Sequence, residues 1–471
     1  MVSKARLLLG LLLGIGPTLG AAPEPAAPPP APRPPNLLLF MVDTLRADVL
    51  GCYGNERIRT PEIDALAAEG TVFVHANAPV PATRPSIASL MTGVPADVHG
   101  VFSHQDVLSG QVAGLPRLAE RLAARGYTTA ALVANPNVDR VFGFARGFDH
   151  YEGLYETRHG RRPATSRDLV SDAAVVVSRA RALIAELEPR RPWFLFVLAI
   201  DPHAPYTPPA PFDRIYNPLL AGSKLGKMSA VLDFDQRLKE GENPSPLAMR
   251  TLYEGEVSFV DREFGRLLGK LRESGELDHT LVVLTAAHGE EFAEHGHRGH
   301  GKTLYEETTR VPLILRHPRW FRHAVRRERV DLLDLSATLL AVAGAQVPAF
   351  WTGRDLRGPL GQRSVVSSNH FGEYSSIAIR RGNLKLIKDD TSGAVEVFDL
   401  EADPAEKSPL RGDALEAARA TLAARLDAYR KQVAALKAKL ARTAVESEDE
   451  PVPEGIEKTL ESLGYVGGKK R

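Results

Sequence analysis

Four residues of this 471-residue chain stand where side chains do chemistry. Asp43, His203 and His288 each follow closely on an apolar run, and Thr83 lies in the stretch PATRPSIASLMTG from Pro81 to Gly93. Thr83 precedes Pro85 and a short helical pattern, Ser86 to Met91, closed by Gly93. Proline suits a first helical position and glycine the residue past the end, so Thr83 is expected at a helix N-terminus. Backbone N–H groups attract anions there. A hydroxyl in that place either caps the helix or acts as a nucleophile on a bound oxyanion. A lone Asp or His after a strand is commonly a turn residue; three of them beside such a threonine read as a site. Cys52 is the only cysteine, so an internal disulfide and a cysteine-held zinc are excluded. Any metal must be held by oxygen and imidazole.

The elements around these residues alternate. Leu37–Met41, Val72–Val74, Thr129–Val133, Trp193–Ile200 and Leu281–Thr285 read as strands. Helices are expected after Thr60-Pro61-Glu62 and over Leu115–Arg125, Leu169–Leu187 and Leu247–Leu271, the last carrying Glu256 and Asp261. Ile215–Pro246 lacks periodicity and reads as an excursion loop. This pattern predicts an α/β domain with a large, mostly parallel sheet flanked by helices. Ligands of such sheets bind beyond the carboxyl ends of the strands, where Asp43, His203 and His288 fall. Past a strand at Pro312–Leu315 and a helix at Asp331–Ala343, short alternating runs at Ser364–Ser368, Ile377–Arg381, Leu384–Lys388 and Val395–Asp399 predict a smaller antiparallel sheet. A helix from Leu415 to about Leu440 is expected to pack on it. The acidic stretch Glu446–Glu450 reads as a linker before a last short helix, Glu454–Leu463, that ends in Gly464-Tyr465.

The ends of the chain carry other signals. Lys4 and Arg6 before the apolar run Leu7–Leu19, with small residues to Ala22, read as a secretory signal peptide over 1–22; a retained membrane anchor is the alternative. Residues 23–35 are a stiff Pro/Ala linker. The expected organisation is then a catalytic domain at 36–345, a C-terminal subdomain at 346–440 and a tail at 441–471. The working protein is expected to be secreted or periplasmic, with no transmembrane domain after signal removal. A formal net charge of +1 gives no support to nucleic acid as a partner.

With PNLLLFMVDTLRADVLGCYG, ATRPSIASLMTG, DPHAPY, HGEEFAEHGHRGHGKTLYEE, GNLKLIKDD and VFDLEADP in their order, the chain resembles the sulfatase family of the alkaline-phosphatase superfamily, in its secreted bacterial branch. The resemblance covers essentially all of the mature chain. It implies an alkaline-phosphatase-like fold and a divalent cation, usually calcium. It places Thr83 at the position of the Cys or Ser that the family oxidises to formylglycine, so no formylglycine is expected here. Asp43, Thr44, Thr83 and His288 take the metal positions, with Thr44 and Ala287 standing where the family has carboxylates. One carboxylate among hydroxyls and imidazole makes a poor calcium site and suits zinc better. His203, His300 and Lys302 take substrate-holding and catalytic positions, and Arg84 supplies a neighbouring cation in place of the family arginine, which is Ile87 here. Arg46, Asp48, Asn135, Glu256 and Asp261 are expected as structural pairs or caps, and Glu290, Glu291, His295 and His297 on a polar rim.

The chemistry implied is attack of Thr83 on a small-molecule or glycan sulfate or phosphate ester, with charge stabilised by Lys302, His203 and His300. The absence of a formylglycine hydrate favours phosphate over sulfate. The alternative is a catalytically impaired homologue that keeps the pocket for anionic or sulfated ligands, suggested by Ala287 and Ile87.

Overall fold

In the computed structural model of the chain, residues 33–103, 106–108, 114–155, 170–188, 190–441, 452–463 and 465 are described. The expected signal peptide, nearly all of the Pro/Ala linker and the acidic stretch at 446–450 lie outside them. Among the described residues no helix is long and apolar enough to cross a membrane.

The chain forms fifteen described strands. They are β1 (Asn36–Val42), β2 (Thr71–Asn77), β3 (Thr128–Val133), β4 (His150–Gly153), β5 (Trp193–Ala199), β6 (Thr280–Ala286), β7 (Glu291–Phe292), β8 (Arg298–Gly299), β9 (Arg310–Val311), β10 (Leu313–Arg316), β11 (Ala324–Asp331), β12 (Ser364–Phe371), β13 (Tyr374–Arg381), β14 (Leu384–Asp389) and β15 (Val395–Asp399). The main sheet runs β11-β2-β10-β6-β1-β5-β3-β4, with β9 pairing β2 off this path. β1 pairs in parallel with β5 and β6, and β10 runs antiparallel to β2 and β6. The sheet is therefore mostly parallel, as the sequence pattern predicts. The apolar runs explain the order: β1, β5 and β6 are buried at every position. Only a central strand covered on both faces tolerates that pattern.

Helices cover the sheet. The 27-residue helix Leu247–Glu273 sends Phe264 against Phe40 of β1, ring centroids 4.9 Å apart. Its Asp261 also accepts the Ile63 and Glu62 amides at 2.8 and 3.3 Å and so caps the Pro61–Glu69 helix. Thr60, the expected cap, instead bonds Asp64 and the Gly51 amide. The expected helices at 115–125 and 169–187 shorten to Leu118–Ala123 and Ala173–Glu186, the latter capped by Asp172. The 215–246 excursion is not all loop, since Met228–Lys239 is helical. Its buried Val231 and Phe234 give a shorter apolar stripe than the surrounding helices show.

Strands β12 to β15 form the predicted antiparallel sheet, paired in chain order. The helix Gly412–Ala441 lies on it, with Ala418, Leu422 and Leu426 packed against Ile377, Ile379, Leu386 and Val397. The small sheet also reaches the main one. Ser368 donates its amide to Pro79 O at 2.9 Å, and Asn369 donates to Gly301 O at 3.0 Å. Those bonds hold the segment leading to Thr83 and the loop carrying His300 and Lys302.

Candidate active site

The three adjacent parallel strands β5, β1 and β6 end together, and each delivers a residue. Asp43 follows β1, with its amide continuing the ladder to Ala199 O at 2.9 Å. His288 lies two residues past β6, and His203 stands in the loop after β5. Thr83 arrives from the other direction, as the first residue of the Thr83–Thr92 helix. That helix starts earlier than Pro85 suggested, with Ala82 as its N-cap and proline in the third position. Every residue of it is buried. Gly93 ends it at φ +67°, and a Cβ there would fall 2.0 Å from the Trp351 ring, so this close approach requires glycine.

Thr83, Asp43 and His288 form a tight triangle. Thr83 Oγ1 lies 3.3 and 3.4 Å from the Asp43 carboxylate oxygens and 3.1 Å from His288 Nε2. His288 Nε2 stands 3.4 Å from Asp43 Oδ1. The proton positions follow from the neighbours. His288 Nδ1 is 2.8 Å from Gly289 O, and a carbonyl only accepts. Nδ1 therefore carries the hydrogen, and Nε2 offers its lone pair to the Thr83 hydroxyl. His203 is fixed in the same tautomer by Ala204 O at 2.7 Å, and its buried Nε2 has no hydrogen-bond partner among the described residues. His300 lies against both, its ring tilted 4.3 Å from the His288 ring and edge-on 5.1 Å from the His203 ring, with Nδ1 3.2 Å from Glu290 Oε1.

Electrostatics in this pocket follow its dryness. Burial pushes the Asp43 carboxyl up to about 7, against hydrogen bonds from Asn135, Thr83 and the Thr44 amide that favour its anion. Burial, followed by the His300 charge, lowers His203 to about 4 and His288 well below its ordinary value. The site thus holds a desolvated carboxylate and two neutral imidazoles with inward lone pairs. It is short of positive charge, and a cation would relieve that.

The resemblance implies a divalent cation, and the donors here fit one kind better than another. Calcium takes six to eight oxygens, and this pocket offers one carboxylate. Val42 pairs with Ala286 in register, so Ala287 stands beside Asp43 where a second carboxylate would lie. Four-coordinate zinc accepts Asp and His donors at about 2.0 Å, which puts neighbouring ligand atoms about 3.3 Å apart in a tetrahedron. The triangle edges match that spacing. The donor set fits zinc and does not fit calcium. Thr44 adds its backbone: its amide donates to Asp43 Oδ1 at 3.1 Å, while its hydroxyl is buried with no partner among the described residues and its φ is +55°.

A second cluster, Glu291, His295 and Glu307, also brings possible ligand atoms within 4.8 Å of one another. It is closed by its own bonds. Glu291 accepts the His295 and His297 amides and the Thr303 hydroxyl, each at 2.9 Å. His295 bridges Glu307 at 2.5 Å and Glu406 O at 3.0 Å.

Several expected roles change. Arg84 lines the cleft with Thr83; its guanidinium donates to Asn137 O at 2.8 Å and Asp106 O at 3.1 Å, and lies 3.5 Å over the Phe142 ring. Glu290 and Glu291 are not on a rim; both are buried. Asn135 caps the Pro136–Val138 turn as expected, but its amide nitrogen also donates to Asp43 Oδ2 at 2.6 Å. Arg46 and Asp48 do form the expected pair, at 2.8 and 2.7 Å, and Glu256 accepts the Thr207 amide. Lys302 faces the cleft, with Nζ donating to Arg298 O at 3.0 Å. Arg298 is gripped by Asp235 of the Met228–Lys239 helix, at 2.6 and 2.7 Å. Asp235 and Tyr465 are cleft residues that the sequence pattern did not single out.

The sulfatase family profile matches residues 35–345, and the profile described as N-sulphoglucosamine sulphohydrolase, C-terminal, matches 293–432. An arylsulfatase of Clostridium perfringens is 27% identical over 435 residues, covering 80% of this chain and 90% of its own. An N-acetylglucosamine-6-O-sulfatase of Bacteroides thetaiotaomicron is 23% identical, covering 81% and 83%. A phosphonate monoester hydrolase from Silicibacter pomeroyi shares the fold, with a TM-score of 0.68 at 22% identity and 84% and 95% of the two chains covered. Profile coverage of most of the chain, on this sheet, means that the protein belongs to the sulfatase family.

Proposed function

We propose that the protein hydrolyses sulfate or phosphate esters of small molecules or glycans, with Thr83 as nucleophile, and that it does so outside the cytoplasm. One observation carries the reading: the Thr83 hydroxyl sits 3.1 Å from an imidazole nitrogen whose tautomer makes it a proton acceptor. Thr83 attacks sulfur or phosphorus in line, and its proton passes to the His288 and Asp43 side of the site. The ester oxygen leaves with a proton from His300, which has Glu290 beside it. Lys302 at the cleft wall stabilises the growing charge. Water then releases the acid, and its hydrogen returns to the Thr83 oxygen. A divalent cation, zinc by the donor set, would be held by Asp43, His288 and Thr83 and would polarise the ester; the His288 lone pair would then be spent on the cation, which in place of the imidazole would ease the proton off the Thr83 hydroxyl.

The names of the relatives support a sulfate ester; the missing aldehyde precursor favours a phosphate ester. Turnover of aryl sulfates, phosphate monoesters and diesters, read beside metal content, decides between them. Turnover by the parent, abolished in Thr83→Ala, is expected. Ala287 also favours a second reading, a homologue that binds anionic ligands without turning them over. Turnover that appears only in Ala287→Asp with added calcium supports that second reading, and inactivity of the parent against every ester contradicts the first.

A further inference from the structure

A second groove of the protein is rich in arginine. It is lined from both sheets, by His75 of β2, Arg327 and Arg329 of β11, and Arg380 of β13, around a cavity of about 640 Å³. It shares no lining residue with the cleft that holds Thr83. Register accounts for part of the convergence, since Arg329 and His75 are paired across β11 and β2.

Two of these guanidiniums are buried: Arg329 is 7% and Arg380 4% exposed. A buried cation is costly unless a carboxylate and hydrogen bonds compensate it. Arg380 has Glu306, which it shares with Lys385. Arg329 makes no ion pair among the described residues, and its Nε donates to Gly382 O. Arg329 Nη1, Arg380 Nε and His75 Nδ1 are buried with no hydrogen-bond partner among the described residues. The acids that line the groove are engaged: Glu328 pairs with Arg326 at 2.6 Å, and Glu401 accepts from the Asn383 side chain. Arg363 also lines it, but is held by Asp331 and Asp334 at 3.1 and 2.5 Å.

The electrostatics agree with that geometry. Burial, then the charge of Arg380, pulls Arg329 down to about 9, and burial, then the charge of Arg329, lowers His75 to about 3. Arg329 is still charged at neutral pH and lacks a carboxylate of its own. Guanidinium forks match oxyanions. A tetrahedral group offers three or four acceptor oxygens and satisfies more of these donors than a carboxylate does with two.

We propose that this groove is a second oxyanion site, which takes a sulfate or phosphate group, free or carried on a sugar, on Arg329, Arg380 and the exposed Arg327. It does not depend on Thr83 acting as a nucleophile.

The test is thermal melting of the full-length protein, titrated with inorganic sulfate, inorganic phosphate or glucose 6-sulfate at constant ionic strength. A Lys302→Ala parent is used, so that anions in the catalytic cleft contribute less. Without an added anion, Arg329→Met removes an unbalanced buried charge and is expected to melt at or above the temperature of that parent. With sulfate the order reverses, and the apparent Kd weakens about 10- to 100-fold. Arg327→Gln, at an exposed position, is expected to weaken it about two- to fivefold. A stronger response to glucose 6-sulfate than to the inorganic ions supports the site with a sulfated sugar as its occupant. A stronger response to the ions supports it with a free anion. A sulfate response that Arg329→Met leaves unchanged overturns the inference. If Arg329→Met does not fold, Arg327→Gln decides alone, and an unchanged Kd in it overturns the inference.

Discussion

Two clusters of carboxylates and imidazoles both draw on the segment that follows β6, through His288 in one and Glu291 in the other, and they have opposite characters. Around Glu291, His295 and Glu307 the side chains are tied to one another, to two amides, to the Thr303 hydroxyl and to the Glu406 carbonyl. Around Asp43, Thr83 and His288 the histidines are turned so that Nδ1 bonds the backbone and Nε2 faces inward. The first cluster fastens the loop between β6 and the small sheet. The second is held open at some energetic cost, because a desolvated carboxylate beside neutral imidazoles lacks a balancing charge. Residue type alone does not separate a site from a fastening. A buried ring nitrogen with no partner among the described residues, such as His203 Nε2, does.

The sharpest way to break this contrast is to remove one member of the open cluster. His288→Ala takes away the acceptor of the Thr83 proton, and kcat should fall about 10²- to 10⁴-fold with the fold intact by circular dichroism. A variant within threefold of the parent would mean that the inward lone pair has no part in the chemistry.

The clusters should also respond to pH with opposite sign. His203 is lowered to about 4, by burial and then by His300. The folded protein therefore resists a proton that the unfolded chain accepts below about 6.5. Stability of chelator-treated protein should decline as pH falls from about 6.5 towards 4, by up to about 3 kcal/mol from this group. His295 behaves in reverse. Burial works against its charge, but the hydrogen bond and charge of Glu307 outweigh it and raise the imidazole above its ordinary value. Its contribution is fully present below about 6.5 and is lost as pH rises through the raised value. Urea unfolding across pH 4.5 to 8 in His203→Gln and His295→Gln should flatten the two limbs separately. One variant that flattens neither limb contradicts its half of the contrast.

The smallest effect expected on catalysis is in the closed cluster. Glu307→Gln weakens the bond to His295 and should cost about 1–3 kcal/mol of stability, with kcat within about twofold of the parent. A loss of activity larger than the loss of stability would move this cluster into the site.

Much of the site was legible because the main sheet obeys a local rule. A run such as WFLFVLAI is tolerable only in a strand covered on both faces, and a polar residue just after it falls on the ligand-binding edge. Asp43, His203 and His288 were legible for that reason, and Thr83 from its place at a helix start. What was not legible depends on contacts remote in sequence. Asn135 looks like a turn cap because it is one; only the fold puts its other end on Asp43. Arg84 neighbours Thr83 in sequence, but a helix turns adjacent side chains about 100° apart, and the Phe142 face takes the guanidinium. Asp235 lay in a stretch without clear periodicity, although Val231 and Phe234 already stood at helical spacing. Tyr465 lies 382 positions beyond Thr83, and nothing local to GYV points back to the strand ends.

The central claim is that the Thr83 oxygen attacks the ester. Rapid acid quench of the enzyme during turnover, followed by peptide mass mapping, tests it most directly. The account predicts one sulfuryl or phosphoryl group on the peptide carrying Thr83, absent in Thr83→Ala. Turnover with no adduct at Thr83, or undiminished turnover by Thr83→Ala, would contradict it.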